Sequence, residues 1–150
     1  MASKSIFDEP VRDELLGRVT NLTPQSQAKF GKMNVNQMVV HCTGGIRMLI
    51  GELKVAPRPG PLSNPLLRYL IIHVLPWPRG APTAPELIPP VDAGDFKQNV
   101  TQLRAAINRV GARDPNGKFD PHPAFGEING KNLGVLVARH LDHHFSQFGV

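Results

Sequence analysis

Cysteine is almost missing from this chain of 150 residues: Cys42 stands alone. That excludes an internal disulfide and fits a reducing compartment. Aromatic residues are sparse, with one tryptophan and one tyrosine, and they do not interleave with the basic residues. Lysine and arginine number 17 against 12 acids, a formal net charge of +5, yet no run of four basic residues occurs. The general field favours acidic small molecules, while the basic patch expected of a nucleic-acid binder is missing, so no nucleic-acid partner is expected. Long apolar runs are also lacking. The longest, Leu66 to Leu75, is broken by Arg68 and is too short to span a bilayer. Before Asp8 and Glu9 there is no apolar stretch of signal-peptide length. The expectation is a cytoplasmic protein with no membrane segment. No alternating strand pattern and no internal repeat stand out either.

What is present is helical periodicity. A chain of 150 residues forms one domain, 1–150, and buries roughly two thirds of its unfolded surface. Asp8 can cap a first helix that accepts Pro10 in its opening turn, with Val11, Leu15, Val19 and Leu22 recurring at three and four residues. It should end near Asn21 to Thr23, ahead of Pro24. Asn34 with Gln37 three residues on forms a capping box for a second helix, which buries Met38, Cys42, Ile46, Leu49 and Leu53 and runs to about Gly51 or Leu53. Ten of the fifteen prolines fall between Pro57 and Pro90. That density forbids a long helix, but Pro65 to Leu75 can form a short one, apolar nearly all round. It must pack across the bundle mouth, form a homodimer surface or touch a membrane, and packing within the protein is the expectation. Its His73 is read as structural. A third long helix begins near Asp92, carries Phe96, Val100, Leu103, Ile107 and Val110, and stops at Gly111. The fold class is therefore all-α, a four-helix bundle with a proline-rich insert and a short extra helix between helices two and three. That long connection suggests that helices two and three need not be simple antiparallel neighbours.

The chemistry concentrates in the last helix, Gly130 to Phe148. On a helical wheel Leu133, Leu136, Val137, Leu141 and Phe148 share one arc, and His140 and His144 fall within it. Imidazoles four residues apart lie one above the other, close enough to share a cation, although satisfied core histidines or a polar rim give the same pattern. His143 points about 60° to the other side. On helix two, His41 lies at the edge of the buried stripe beside Gln37, Gly45 and Met48, and Gly45 leaves space next to the imidazole. Gln37 and Met48 are the candidate substrate-binding residues. His41 with His140 and His144 would give three nitrogen ligands and an open position, the pattern of catalytic zinc; nickel, iron or cobalt would suit the same donors. Binding should fade below the imidazole pKa of about 6.5. No carboxylate is placed as a general base: Asp142 projects about 200° away and reads as a solvated acid. Cys42 is about 100° from His41 and reads as a small buried hydrophobe, not a nucleophile. No catalytic residue is named.

Three stretches carry a resemblance. Phe30-Gly-Lys-Met-Asn-Val-Asn-Gln-Met-Val-Val-His-Cys42, His122-Pro-Ala-Phe-Gly126 and His140-Leu-Asp-His-His-Phe-Ser-Gln-Phe-Gly149 resemble an uncharacterised branch of the DinB/YfiT-like superfamily, over nearly the whole chain. The resemblance implies a four-helix bundle and a three-histidine site for nickel or zinc. It also implies a metal-dependent enzyme, since characterised relatives are transferases and isomerases that use a low-molecular-weight thiol such as bacillithiol or mycothiol. His41, His140 and His144 match the ligands, and Gln37 matches a polar residue one turn before the first. The chain departs from the pattern at Phe30, commonly tryptophan, and in its longer insert from Pro57 to Pro90. The expected activity is thiol-dependent transfer to a small electrophile or hydrolysis by metal-activated water. The alternatives are a non-catalytic bundle that holds a small ligand and a protein-interaction module.

Overall fold

The computed structural model describes residues 3–150 and is all-helical. Four long helices, α1 (Glu9–Val19), α2 (Val35–Leu49), α4 (Phe96–Gly111) and α5 (Gly130–Gln147), are joined by a short α3 (Pro65–Tyr69) that runs on as a π turn over Leu70–Val74. The proline-rich segment adds 3₁₀ turns at Pro61–Ser63 and Pro85–Leu87. Among the described residues there is no strand, only an isolated bridge between His122 and Gly126, and no helix is long and apolar enough to cross a membrane.

Local chemistry sets the boundaries. The Asn34 side chain accepts from the Gln37 amide while the Gln37 side chain accepts from the Asn34 amide, so the expected capping box forms in full. Asp8 occupies the N-cap position of α1 but makes no side-chain cap bond; its carbonyl alone accepts from Val11 and Arg12. This helix stops at Val19, earlier than expected, and Leu22 is buried from the turn that follows. α2 likewise closes at Leu49, since Gly51 turns the chain at φ 83°. α4 starts four residues later than Asp92, because Asp95 is the capping side chain and Gly94 adopts φ 87° before it.

The four long helices pack as a ring in which α1 touches α4, α4 touches α2, α2 touches α5 and α5 touches α1. α2 and α4 are neighbours and share the most extensive contact of any pair. Asn36 and Asn99 bond at their beginnings and Glu52 and Arg109 near their ends, so the two helices run parallel. Parallel neighbours need a long return, and the proline-rich segment provides it. α2 and α5 are antiparallel, Gly45 lying against His140 while His41 reaches His144. The core between the helices is apolar, built on Met38, Ile46, Leu103, Ile107, Leu133, Leu141 and Phe145.

One packing expectation holds only in part. Only Ile72 of the α3 segment is fully buried, while Leu66, Leu67, Tyr69, Val74 and Leu75 remain exposed. Ile72, with Ile71 partly buried beside it, anchors the segment to the core, and polar contacts hold the rest. Arg68 bonds the carbonyls of Phe125 and Glu127, Arg139 those of Ile71, Ile72 and Leu75, and His73 pairs with Asn132. Arginine supplies five fixed donors, enough to satisfy several helix-end carbonyls at once.

Candidate metal centre

Three imidazoles converge between α2 and α5. One ring nitrogen from each of His41, His140 and His144 lies within 4.8 Å of the other two. The ring centroids are 4.7 to 5.0 Å apart and the planes meet edge to face. His41 Nε2 and His140 Nε2 are 3.1 Å apart. Two nitrogens each about 2.1 Å from one ion at tetrahedral or octahedral angles lie about 3.0–3.4 Å apart, so this pair is already at the spacing a shared ion requires. The three buried or half-buried histidines could hold a metal ion.

The surroundings fix which nitrogen each ring presents. His41 Nδ1 lies 2.8 Å from the Leu87 carbonyl. A carbonyl only accepts, so Nδ1 carries the proton and the lone pair sits on Nε2, toward the cluster. His144 is set by a longer chain. The Phe30 carbonyl takes a hydrogen bond from Gln147 Nε2 at 2.7 Å, which turns Gln147 Oε1 toward His144 Nδ1 at 2.8 Å. That oxygen also only accepts, so His144 too holds its proton on Nδ1 and offers Nε2. With His41 Nε2 acting as acceptor, His140 Nε2 donates to it, and an ion would take that proton's place.

Electrostatics favour neutral rings. Burial lowers the His41 pKa against a smaller opposing effect of the Leu87 carbonyl. Burial and then the neighbouring histidines hold His140 well below 6.5. His144 is lowered to about 4, first by burial and then by His41. All three therefore keep lone pairs at neutral pH. The acid limit expected at about 6.5 moves downward, because a buried ring resists protonation.

Room is provided on one side by Gly45, where a Cβ would stand 3.3 Å from His140 Cε1. On another side the insert covers the cluster. The Trp77 ring lies 6.3 Å from that of His140 and 6.0 Å from that of His143, pinned by its own bond to the Ile71 carbonyl and by the Arg139 guanidinium over its face at 5.2 Å.

The other candidates make contacts of their own. Gln37 is buried with both ends of its amide engaged, Oε1 on the Asn34 amide and Nε2 on the Pro89 carbonyl. Met48 is packed in the apolar core. Asp142 is exposed and paired with Arg18 at 2.6 Å. The Cys42 thiol is fully buried against Met38 sulfur, and burial pushes its pKa up. His143 stays outside the triad, facing Phe30 and Trp77.

The supporting residues are those that sequence reasoning missed. Gln147 lies three residues beyond His144, a spacing that brings helical side chains together, so that signal was present. The Leu87 carbonyl has no side-chain signature. His122 is a fourth histidine near the cluster: its charge would depress His140, and its Nδ1 accepts from the amides of Ala124 and Phe125.

A family model described as a protein of unknown function, DUF1569, matches residues 7–149. Neither a curated protein nor a solved structure matches the chain. The matched span takes in all four long helices, the three histidines and the residues that orient them, and the chain belongs to the DUF1569 family.

Proposed function

We propose that this protein is a metal-dependent enzyme of DinB/YfiT-like type, a four-helix bundle whose His41, His140 and His144 hold nickel or zinc. The observation that carries the reading is the orientation of the rings. Two of the three are fixed through Nδ1 by an acceptor, so that Nε2 lone pairs point at a common place in a pocket that keeps them unprotonated. Such outer hydrogen bonds are how ligand histidines are aligned and made more basic. Three neutral nitrogens suit zinc or nickel. A divalent ion there would supply Lewis acidity, making water or a thiol nucleophilic near neutral pH or polarising a substrate oxygen.

The chain's own residues define the rest. The burial of His41 and His144 limits water around the triad, and the Trp77 ring stands beside His140 on the insert side. No carboxylate is shown bonded to the three rings, whose bonds are to Leu87, Gln147 and one another. Proton transfer therefore falls to substrate, solvent or histidine. That arrangement suits attack by a low-molecular-weight thiol on a small electrophile, or hydrolysis.

Elemental analysis of protein purified without an affinity tag tests the reading. One ion per chain in the wild type and loss in His140→Ala support it; no bound metal after incubation with nickel or zinc overturns it. Thiol consumption with a test electrophile then separates transfer from hydrolysis. A second reading, an interaction module or homodimer, draws on the exposed apolar face of the α3 segment, where Leu66 is 66% exposed; a monomer by light scattering counts against it.

A further inference from the structure

The α3 segment and its π turn pack on α5 and carry bare apolar side chains on their outer side. Leu66 is 66% exposed, Tyr69 54% and Val74 56%, and Leu67 and Leu75 are exposed with them. Leu66 and Val74 lie two turns apart on one flank, with half-buried Leu70 between them. Neighbouring apolar groups in water mark a surface that something else covers. The backbone is prepared for that. The Asn64 side chain accepts from the Leu66 and Leu67 amides at one end, and Arg139 takes the Ile71, Ile72 and Leu75 carbonyls at the other. Both ends thus carry backbone groups already paired within the protein, which lowers the cost of meeting an apolar phase.

Two features choose the occupant. The chain's single tyrosine and single tryptophan both belong here: Tyr69 on the exposed side, and Trp77 two residues past Leu75, partly exposed with its indole N–H on the Ile71 carbonyl. Rings with an apolar body and a polar edge collect at the boundary between a membrane and water. Charge is the second feature. From Leu53 to Pro85 there is no acid, while Lys54, Arg58, Arg68 and Arg79 are basic. Lys54 and Arg58 are paired with Asp120 and Glu86. Arg68 takes the carbonyl of Glu127, not its carboxylate, and among the described residues Arg68, Arg79 and Arg139 have no ion pair. A second copy docked here about a two-fold axis would set those cations against their own counterparts. Anionic lipid headgroups neutralise them instead.

We propose that Pro65 to Leu75 is a peripheral membrane anchor, which lies in the surface of an anionic bilayer with Leu66, Leu67, Val74 and Leu75 inserted, Tyr69 and Trp77 at the boundary and Arg79 at the headgroups. No helix of the described residues crosses the bilayer; the protein rests on it and leaves again, as a single short anchor allows. Such anchoring needs no metal ion, and it gives the α3 face to lipid rather than to a second copy of the chain.

Co-sedimentation with vesicles and the emission of Trp77, the single tryptophan, both read binding. The full chain is titrated with vesicles of phosphatidylcholine alone and with vesicles holding about 30% phosphatidylserine. The wild type is compared with Leu66→Ser/Leu67→Ser, with Arg79→Glu and, as the charge-matched control, with Lys97→Glu on α4, a helix that packs on α1 and α2. Both leucines are exposed, so the double variant keeps its core. The expected result is half-binding to the anionic vesicles below about 1 mM lipid, with a blue shift of Trp77, and binding to phosphatidylcholine alone at least about tenfold weaker. The leucine variant should lose about tenfold, Arg79→Glu about fivefold or more and Lys97→Glu less than about twofold. No association with the anionic vesicles, equal binding to the two compositions, wild-type binding by the leucine variant, or equal losses in Arg79→Glu and Lys97→Glu overturns the proposal. A dimer in lipid-free solution that the leucine variant abolishes overturns it too, and gives the face to a second copy.

Discussion

At the scale of single residues, the centre depends on second partners as much as on the three rings. His144 and His143 are adjacent, yet the first is buried with its Nδ1 on Gln147 and the second faces Phe30 and Trp77. His144→Ala is therefore expected to abolish stoichiometric metal binding, and His143→Ala to change affinity less than about threefold. Gln147→Ala frees the His144 ring and is expected to weaken binding about tenfold, the usual effect of losing an outer partner. Isothermal titration of the three variants checks this, and equal losses for His143 and His144 would remove the face assignment.

Acid sensitivity belongs to the same scale. His122 and His144 are each lowered to about 4 in the folded chain, mainly by burial, while the unfolded chain titrates near 6.5. Between those values the unfolded chain holds more protons. Stability is thus fully present above about pH 6.5 and falls as pH drops toward about 4, by up to roughly 2–3 kcal/mol per histidine. Urea midpoints from pH 7 to 4 should show the loss in the metal-free protein. His122→Asn should flatten the curve, because an amide oxygen can accept from Ala124 and Phe125 without titrating in this range.

At the scale of elements, two glycines predict opposite outcomes. A Cβ on Gly130 would run into the Pro115 backbone carbonyl, which cannot rotate away, whereas Gly17 has open space around it. Gly130→Ala should cost at least about 2 kcal/mol by overpacking. Gly17→Ala, exposed in α1, should add about 0.5–1 kcal/mol through helix propensity. Denaturant unfolding measures both.

Elements were also where the sequence was most readable. The capping box at Asn34 and Gln37, the stripe of α4 and the inward pair on α5 follow from local spacing, which is a property of one helix at a time. Spacing also put His41 at the edge of its stripe, and the three rings do meet. What local spacing could not reveal was contact between distant backbone groups. The Leu87 carbonyl on His41, the Phe30 carbonyl that turns Gln147, and Arg139 on the end of the π turn each depend on the tertiary path of the insert. The same gap explains the α3 segment. Its apolarity predicted burial, but beyond Ile72 and Ile71 its attachment is made by arginines reaching carbonyls, which leaves Leu66 and Leu67 outside.

At the scale of the whole molecule, the ring of helices and the ion should stabilise each other, since the unfolded chain has no preformed site. At an ion concentration one hundred times the dissociation constant, the gain is about 2.7 kcal/mol, or a rise in Tm of roughly 5–10 °C for a domain of this size. Differential scanning calorimetry with nickel or zinc should show the rise, EDTA should reverse it, and His140→Ala should show none. A rise that persists in the variant would place the ion elsewhere.

The centre also has a history imposed by its span. His41 and His140 meet across 99 positions of sequence, so the cage cannot exist while the ribosome is still making the insert or α4. A nascent chain offers only isolated imidazoles, each a weak competitor for scarce cellular metal. Under the proposed metal reading, an ion would enter only after the last helix has docked.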